Sequence, residues 1–189
     1  FAFTVMICSL CLFCGFLVTE KASAKKTTVK KVSSTLKNGT FTVSGKGKMP
    51  ESAMPKAAQK KKIKKIVIKN GVTELPEDAF RDCSKATVIT IAPTVNRIGA
   101  MAFYNTGVEK ITISDEVKYI RENAFNSLLS STSQKFSIRS VVLNNNIETL
   151  PKYAFAGNKE IKVYTNKEIM IQRYTFDNCG EYEIIRLTH

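Results

Sequence analysis

The chain has 189 residues, with 29 lysines and arginines against 16 acidic residues, and its formal net charge is +13. Its length allows one folded domain with short appendages. The only histidine is His189, and the sequence contains no Ser/His/Asp arrangement, no pair of histidine ligands and no glycine-rich phosphate loop. This composition argues against an enzyme, so we expect no catalytic residue, no metal and no cofactor.

Residues 1–24 have the features of an export signal. The run from Phe1 to Val18 is strongly apolar, and Ala22-Ser23-Ala24 follows it as an A-x-A cleavage motif. We predict a signal peptide at residues 1–24 that is incomplete at its N-terminus. After cleavage, the mature chain would have no stable membrane span and would be secreted or held at the cell surface. A transmembrane anchor is the competing interpretation, because 18 apolar residues nearly span a bilayer.

The positive charge is concentrated ahead of the repeats. Fourteen lysines and a single acid, Glu51, lie between Lys25 and Lys69, whereas residues 70–189 have no net charge. Residues 25–38 are predicted to form a flexible basic leader. Residues 39–62 are predicted to form an N-terminal cap, which contains the strand-like alternation of residues 39–45 and a lysine-rich linker.

The lysine-rich linker is a candidate polyanion-binding site. Its members are Lys56, Lys60, Lys61, Lys62 and Lys64. On an exported chain they would attract an anionic cell-wall polymer, lipid head groups or sulfated glycans. Nucleic acid is not expected as a partner, because export argues against it and no aromatic residues interleave the lysines for base stacking. The alternative is that the lysines only keep the chain soluble.

Residues 63–189 form a repeat array. A small residue and a phenylalanine stand together five times, and successive phenylalanines are 23, 22, 30 and 21 residues apart. The pairs are Ala79-Phe80, Ala102-Phe103, Ala124-Phe125, Ala154-Phe155 and Thr175-Phe176. A period near 22 residues is typical of a solenoid, in which each repeat adds one layer to a shared core. The longest gap contains an insertion around Ser127–Lys135, which predicts a loop.

Each repeat begins with apolar residues two positions apart. The pairs are Ile66 and Ile68, Ile89 and Ile91, Ile111 and Ile113, and Val141 and Leu143. This spacing predicts a short strand with one buried face. The Ala-Phe pair is expected in a short helical or 3₁₀ segment. A single coil buries too few side chains to offset its ordering entropy, so the coils must stack. A β-sandwich with coincidental phenylalanine spacing is the alternative.

The repeat resembles that of BspA-like bacterial leucine-rich repeat surface proteins. The segment Ile63–Lys85, IKKIVIKNGVTELPEDAFRDCSK, is similar to the family's repeat, and ITIAPTVNRIGAMAFYNTG and ITISDEVKYIRENAF follow the same pattern. The resemblance implies an α/β solenoid of leucine-rich-repeat type: a right-handed coil of about five repeats with a parallel sheet on one face. Short helical or 3₁₀ segments would lie opposite, and a strand cap would precede the array. It also implies an exported cell-surface protein of a group linked to adhesion and host-protein binding.

The outward side of the predicted strands is the candidate binding face. Side chains alternate along a strand, so the residues between buried positions face solvent. These are Lys65, Val67, Val88, Thr90, Lys110, Thr112, Ser140, Val142 and Tyr164. We expect a monomer that binds a protein or glycan ligand, such as host matrix, as a non-catalytic adhesion module. The alternative function is a structural, wall-associated spacer held to anionic wall polymer by its basic N-terminal segment.

Two cysteines remain after the predicted cleavage. Cys83 and Cys179 each stand three residues after the phenylalanine of their repeat, in coils four layers apart. At about 4.8 Å per layer they would be roughly 19 Å apart, which is too far for a disulfide. We expect both to be buried thiols that pack as small apolar groups.

Overall fold

The computed structural model describes residues 30–127 and 138–187. The predicted signal peptide, the start of the basic leader, most of the predicted loop at Ser127–Lys135 and His189 lie outside these ranges. Within them, no helix has the length and apolar character that crossing a bilayer requires.

The chain winds through six coils, each with one strand on a main face and one on an adjoining second face. The main face contains β1 (Ser33–Lys37), β2 (Thr40–Ser44), β4 (Lys65–Ile68), β6 (Val88–Thr90), β8 (Lys110–Thr112), β10 (Ser140–Val142), β12 (Glu160–Thr165) and β14 (Glu181–Arg186). The second face contains β3 (Gly47–Lys48), β5 (Val72–Leu75), β7 (Arg97–Ile98), β9 (Tyr119–Ile120), β11 (Thr149–Leu150) and β13 (Met170–Ile171). A 3₁₀ turn at Glu51–Ala53 and a short helix, α1 (Ala57–Lys60), connect the first coil to the second.

Successive coils pair in parallel and in register. Ile66 lies opposite Ile89 on the main face, and Ile111 lies opposite Val141. The near-constant repeat length places equivalent residues side by side, so apolar positions align into one continuous core. This confirms the predicted parallel solenoid: the five predicted repeats are present, and the cap forms a sixth coil. The β-sandwich alternative is wrong, because β1 and β2 form the only antiparallel pair among the described strands.

The phenylalanines form a column inside the solenoid. Phe80, Phe103, Phe125 and Phe155 are fully buried, and neighbouring rings stack with centroids 5.4 Å apart. The small residue before each ring is buried as well, which allows the coils to approach closely. Phe41 from β2 closes the column at its N-terminal end with an edge contact to Phe80 at 6.0 Å.

The Ala-Phe segments are turns rather than the helical or 3₁₀ segments that the sequence suggested. The residue before each small residue has a positive φ, between 51° and 65°: Asp78, Met101, Asn123, Tyr153 and Tyr174. A left-handed residue interrupts a right-handed helix. The backbone amides bond to the next coil instead, as when Phe80 N donates to Ala102 O at 2.7 Å and Phe103 N to Ala124 O at 2.8 Å.

The cap begins earlier than predicted. β1 lies inside residues 25–38, which were assigned to a flexible leader, and it pairs antiparallel with β2 from Ser33 opposite Ser44 to Lys37 opposite Thr40. The boundary at residue 38 is therefore wrong for residues 33–37. Leu36 is the only apolar residue of β1, so no apolar alternation indicated a strand there.

The two ends of the solenoid differ in exposure. β1 covers the N-terminal end, whereas the last coil and β14 leave apolar side chains exposed: Met170, Ile171, Tyr174, Tyr182, Ile184 and Leu187. Tyr182 extends the aromatic column by stacking on Phe176 at 4.5 Å.

Candidate binding face

All nine residues predicted for the binding face lie at the surface of the main face. Lys65, Val88, Thr90, Lys110 and Thr112 are exposed, and the other four (Val67, Ser140, Val142 and Tyr164) are half-buried. Strand pairing sets them in two rows, because Lys65 lies opposite Val88 and Val67 opposite Thr90. The same holds for the third, fourth and fifth repeats, where Thr112, Val142 and Tyr164 lie side by side.

The main face is interrupted in its middle. β6 pairs with β4 and β8 pairs with β10, but β6 and β8 do not pair with each other. A cleft of about 660 Å³ lies between them, and its lining includes Val88, Thr90, Lys110 and Thr112. The coils that carry β6 and β8 stay joined elsewhere, through the Arg97–Tyr119 pairing of the second face and the stacked rings of the core. The opening is therefore confined to the main face.

Backbone groups of β6 and β8 face this cleft. Lys65 N donates to Gly39 O at 3.1 Å, toward β2, so Ile66 directs its backbone groups to β6, and in the paired register Val88 and Thr90 direct theirs to β4. Ile113 N donates to Val142 O at 2.9 Å, toward β10. In a sheet, alternate residues of a strand direct their N–H and C=O groups to alternate neighbours. The amides and carbonyls of four residues therefore face the cleft without a strand partner: Ile89 of β6, Ile91 directly after that strand, and Lys110 and Thr112 of β8.

Apolar and polar groups also lie at the base of the cleft, and the sequence analysis did not identify them as binding residues. Ile89 and Ile91 were predicted to be buried, yet both are half-exposed, whereas the equivalent Ile66 and Ile111 are buried. Ser114 also lines the cleft, and its buried Oγ has no hydrogen-bond partner among the described residues. Buried hydroxyls nearly always have a partner, so this one is available to an incoming polar group.

The lysine-rich linker lies between the first two coils, on the N-terminal side of the cleft. Lys56, Lys61, Lys62 and Lys64 are exposed and Lys60 is half-buried, and they surround α1 and the start of β4. None of the five forms an ion pair with a described residue. Their charge is thus not neutralised within the described part of the chain.

The two thiols differ in burial. Cys83 is fully buried, and burial raises its pKa to about 12 despite the nearby Lys60 ammonium. Cys179 is half-buried, its Sγ lies 3.2 Å from Phe155 O, and burial raises its pKa too. Both cysteines are free, and the described residues contain no cluster of three or more groups that could hold a metal ion. Raised pKa values are typical of structural rather than reactive thiols.

Comparison with known proteins identifies the repeat. The family model described as the BspA type leucine rich repeat region matches residues 54–183 in six copies. A comparison with curated proteins finds no match.

Two crystal structures resemble the chain. A leucine-rich repeat protein from Eubacterium ventriosum has 23% identity and a TM-score of 0.67, with 82% of this chain and 42% of that chain covered. A leucine-rich repeat protein from Bacteroides ovatus has 21% identity and a TM-score of 0.48, with coverage of 82% and 51%. At these identities the first likeness shows a shared fold. The chain spans about half the length of these solved proteins.

Proposed function

The chain belongs to the family of BspA-type leucine-rich repeat proteins, and on that premise we propose that it is a non-catalytic module that binds a protein through the main face. The observation that carries the proposal is the unpaired backbone at the cleft between β6 and β8. Amide and carbonyl groups at strand spacing are satisfied best by another polypeptide strand, which adds itself to the sheet. The partner would thus offer an extended segment with at least one apolar side chain for the half-exposed Ile89 and Ile91.

The location of the module follows from the first 24 residues. We propose that the chain is exported and acts in adhesion at the cell surface or outside the cell. The apolar run and the motif Ala22-Ser23-Ala24 support export. Mass spectrometry of the protein from the culture medium would then find a mature chain that begins at Lys25. A cell-associated chain that retains residues 1–24 would contradict export by cleavage.

Binding to immobilised proteins tests the main face. Purified extracellular matrix proteins are arrayed, and the mature chain is compared with a variant that carries Thr90→Lys and Thr112→Lys. Both changes place long cationic side chains at the edges of the cleft, so we expect capture to fall at least tenfold. Ser84→Lys, in an exposed turn outside the main face, is the matched control and should bind like the parent chain. Unchanged capture by the double variant would contradict a role for the cleft.

A second candidate function rests on the five linker lysines, which form no ion pair within residues 30–127 and 138–187. They would hold the chain to an anionic wall polymer, with the repeats acting as a spacer. Exposed charges are screened by salt, so binding of this kind should weaken steeply between about 50 and 300 mM salt. Charge reversal at Lys56, Lys61, Lys62 and Lys64 should abolish retention on a purified anionic wall polymer. Capture by matrix proteins should change little in that variant.

A further inference from the structure

A second cleft, of about 460 Å³, opens on the second face between β9 and β11. β9 pairs with β7, and β11 pairs with β13, but β9 and β11 do not pair with each other. Side-chain amides fasten the turns ahead of these two strands instead. Asn144 Nδ2 donates to Val117 O at 3.0 Å and to Ser114 O, and Asn146 Nδ2 donates to Asp115 O. The cleft is therefore preformed and fixed at one end.

Tyr119 forms an aromatic wall of this cleft. Tyr119 is 55% exposed, whereas Phe125 of the same coil is buried. The Arg97 guanidinium lies over the ring, 5.2 Å from the centroid, and comes from the preceding coil. In the following coil the equivalent residue is Thr149, which is short and belongs to a strand that does not pair with β9. One face of the ring is thus covered by Arg97, while the other is open to the cleft.

The rim of the cleft is polar but has no net charge. Lys118 and Arg121 are balanced by Glu122 and Glu148. None of these four side chains has an ion pair or hydrogen bond to a described residue, so their donors and acceptors are available to a ligand. Gln172 accepts a bond from Lys152 N at 3.1 Å through Oε1, which leaves its amide hydrogens to face the cleft.

We propose that this cleft binds a neutral sugar, with one pyranose ring stacked on the open face of Tyr119. A pyranose has an apolar face of C–H groups, which packs on an aromatic ring, and a rim of hydroxyls that both donate and accept hydrogen bonds. The rim offers both kinds of group in equal number. A charged ligand would gain from one pair of side chains and be repelled by the other. The volume lies within the range of small-molecule sites, which is about 300–1,000 Å³.

The proposal is independent of protein binding at the main face, because the two clefts lie on different faces and share no lining residue. The full chain is screened against an array of neutral and acidic oligosaccharides, and neutral hits are titrated by calorimetry. We expect a neutral oligosaccharide to bind with a Kd below about 1 mM. Tyr119→Ala should weaken binding by about three- to tenfold, the range of one lost aromatic contact.

Matched variants separate stacking from folding effects. Tyr119→Phe keeps the ring face and should bind like the parent chain, whereas Glu148→Ala should weaken binding by removing one acceptor. Tyr164→Ala, on the main face, should leave the sugar affinity unchanged. Three outcomes overturn the proposal: no neutral oligosaccharide binds, only acidic glycans bind, or Tyr119→Ala binds as tightly as the parent. None of these outcomes bears on capture of matrix proteins, which the variants Thr90→Lys and Thr112→Lys test separately.

Discussion

Phe103 and Phe125 stack with ring centroids 5.4 Å apart and ring planes 4° apart, although they belong to different repeats. Each ring covers its neighbour, so the column joins successive coils into one cooperative core. Truncation at the middle of the column should therefore affect the whole molecule. Phe103→Ala is expected to lower the free energy of unfolding by about 3–5 kcal/mol, measured by urea denaturation.

Phe103→Leu is the control for this prediction. It retains most of the buried volume and should cost clearly less than the alanine variant. If Phe103→Ala lowered the free energy of unfolding by less than about 1 kcal/mol, the stacked rings would not be a main source of core stability.

Gly71 makes the cap approach the first repeat closely. Its φ is +103°, and a Cβ at this position would lie 2.4 Å from Gly45 O. Gly47 has a similar φ of +107°, but a Cβ there would meet nothing within 4 Å. Both alanine variants share the strain of a left-handed residue, roughly 1–2 kcal/mol. Only Gly71→Ala adds a backbone clash, so its melting temperature should fall further than that of Gly47→Ala. Equal melting temperatures would contradict the close approach.

Asn158 is a buried polar link between repeats. Its Nδ2 donates to Phe155 O at 2.7 Å and to Phe125 O at 3.2 Å, and its Oδ1 accepts from Ile138 N at 2.8 Å. Asn158→Ala leaves Phe125 O and Ile138 N without this partner, and Phe155 O keeps only the weak Cys179 thiol donor among the described residues. The cost is about 1–3 kcal/mol for each buried group that finds no water. Asn145→Ala, at an exposed position, should be neutral in the same urea titration. A neutral Asn158→Ala would show that water or relaxation replaces the side chain.

Cys83 predicts a pH dependence of stability. Its folded pKa is about 12 against an ordinary value of 9.0, because burial disfavours the thiolate. In the unfolded chain the thiol ionises near pH 9. Its ionisation there lowers the free energy of unfolding as the pH rises from 9 toward 12. The slope is about 1.4 kcal/mol per pH unit for one proton. Cys83→Ala should remove that part of the slope, as measured by urea titrations at pH 8.5 and 10.5. The variant differs from the parent chain only at this thiol, so identical slopes would contradict a buried neutral thiol.

The sequence predicts the architecture well because the repeat period and the buried positions are encoded in side-chain type. Apolar residues equivalent to Ile66 and Phe80 recur in each of the five repeats, and these positions form the core. The sequence did not reveal the left-handed residues before each small residue, because Asp78, Met101 and Tyr153 share no side-chain property. It also did not reveal where the sheet opens. Ile89 and Ile111 look alike in sequence, yet the pairing of their strands differs, and pairing depends on how whole coils tilt.

The sequence also predicted only the part of the candidate site that depends on local geometry. Alternation along the strands indicated that Thr90 and Thr112 face solvent, since that depends only on local geometry. The cleft between them, the unpartnered Oγ of Ser114 and the open ring of Tyr119 arise from contacts between coils. No local pattern specifies such contacts.

Amide hydrogen exchange of the free chain, resolved residue by residue by NMR, tests the central claim that β6 and β8 offer unpaired backbone to a partner. The amides of Ile89, Ile91, Lys110 and Thr112 should exchange on the order of 100-fold faster than those of Val88, Thr90 and Ile111, which face paired strands. Equal protection of both sets would show that β6 and β8 are joined like every other neighbouring pair on the main face. The main face would then offer no free strand edge, and the proposed mode of binding would be wrong.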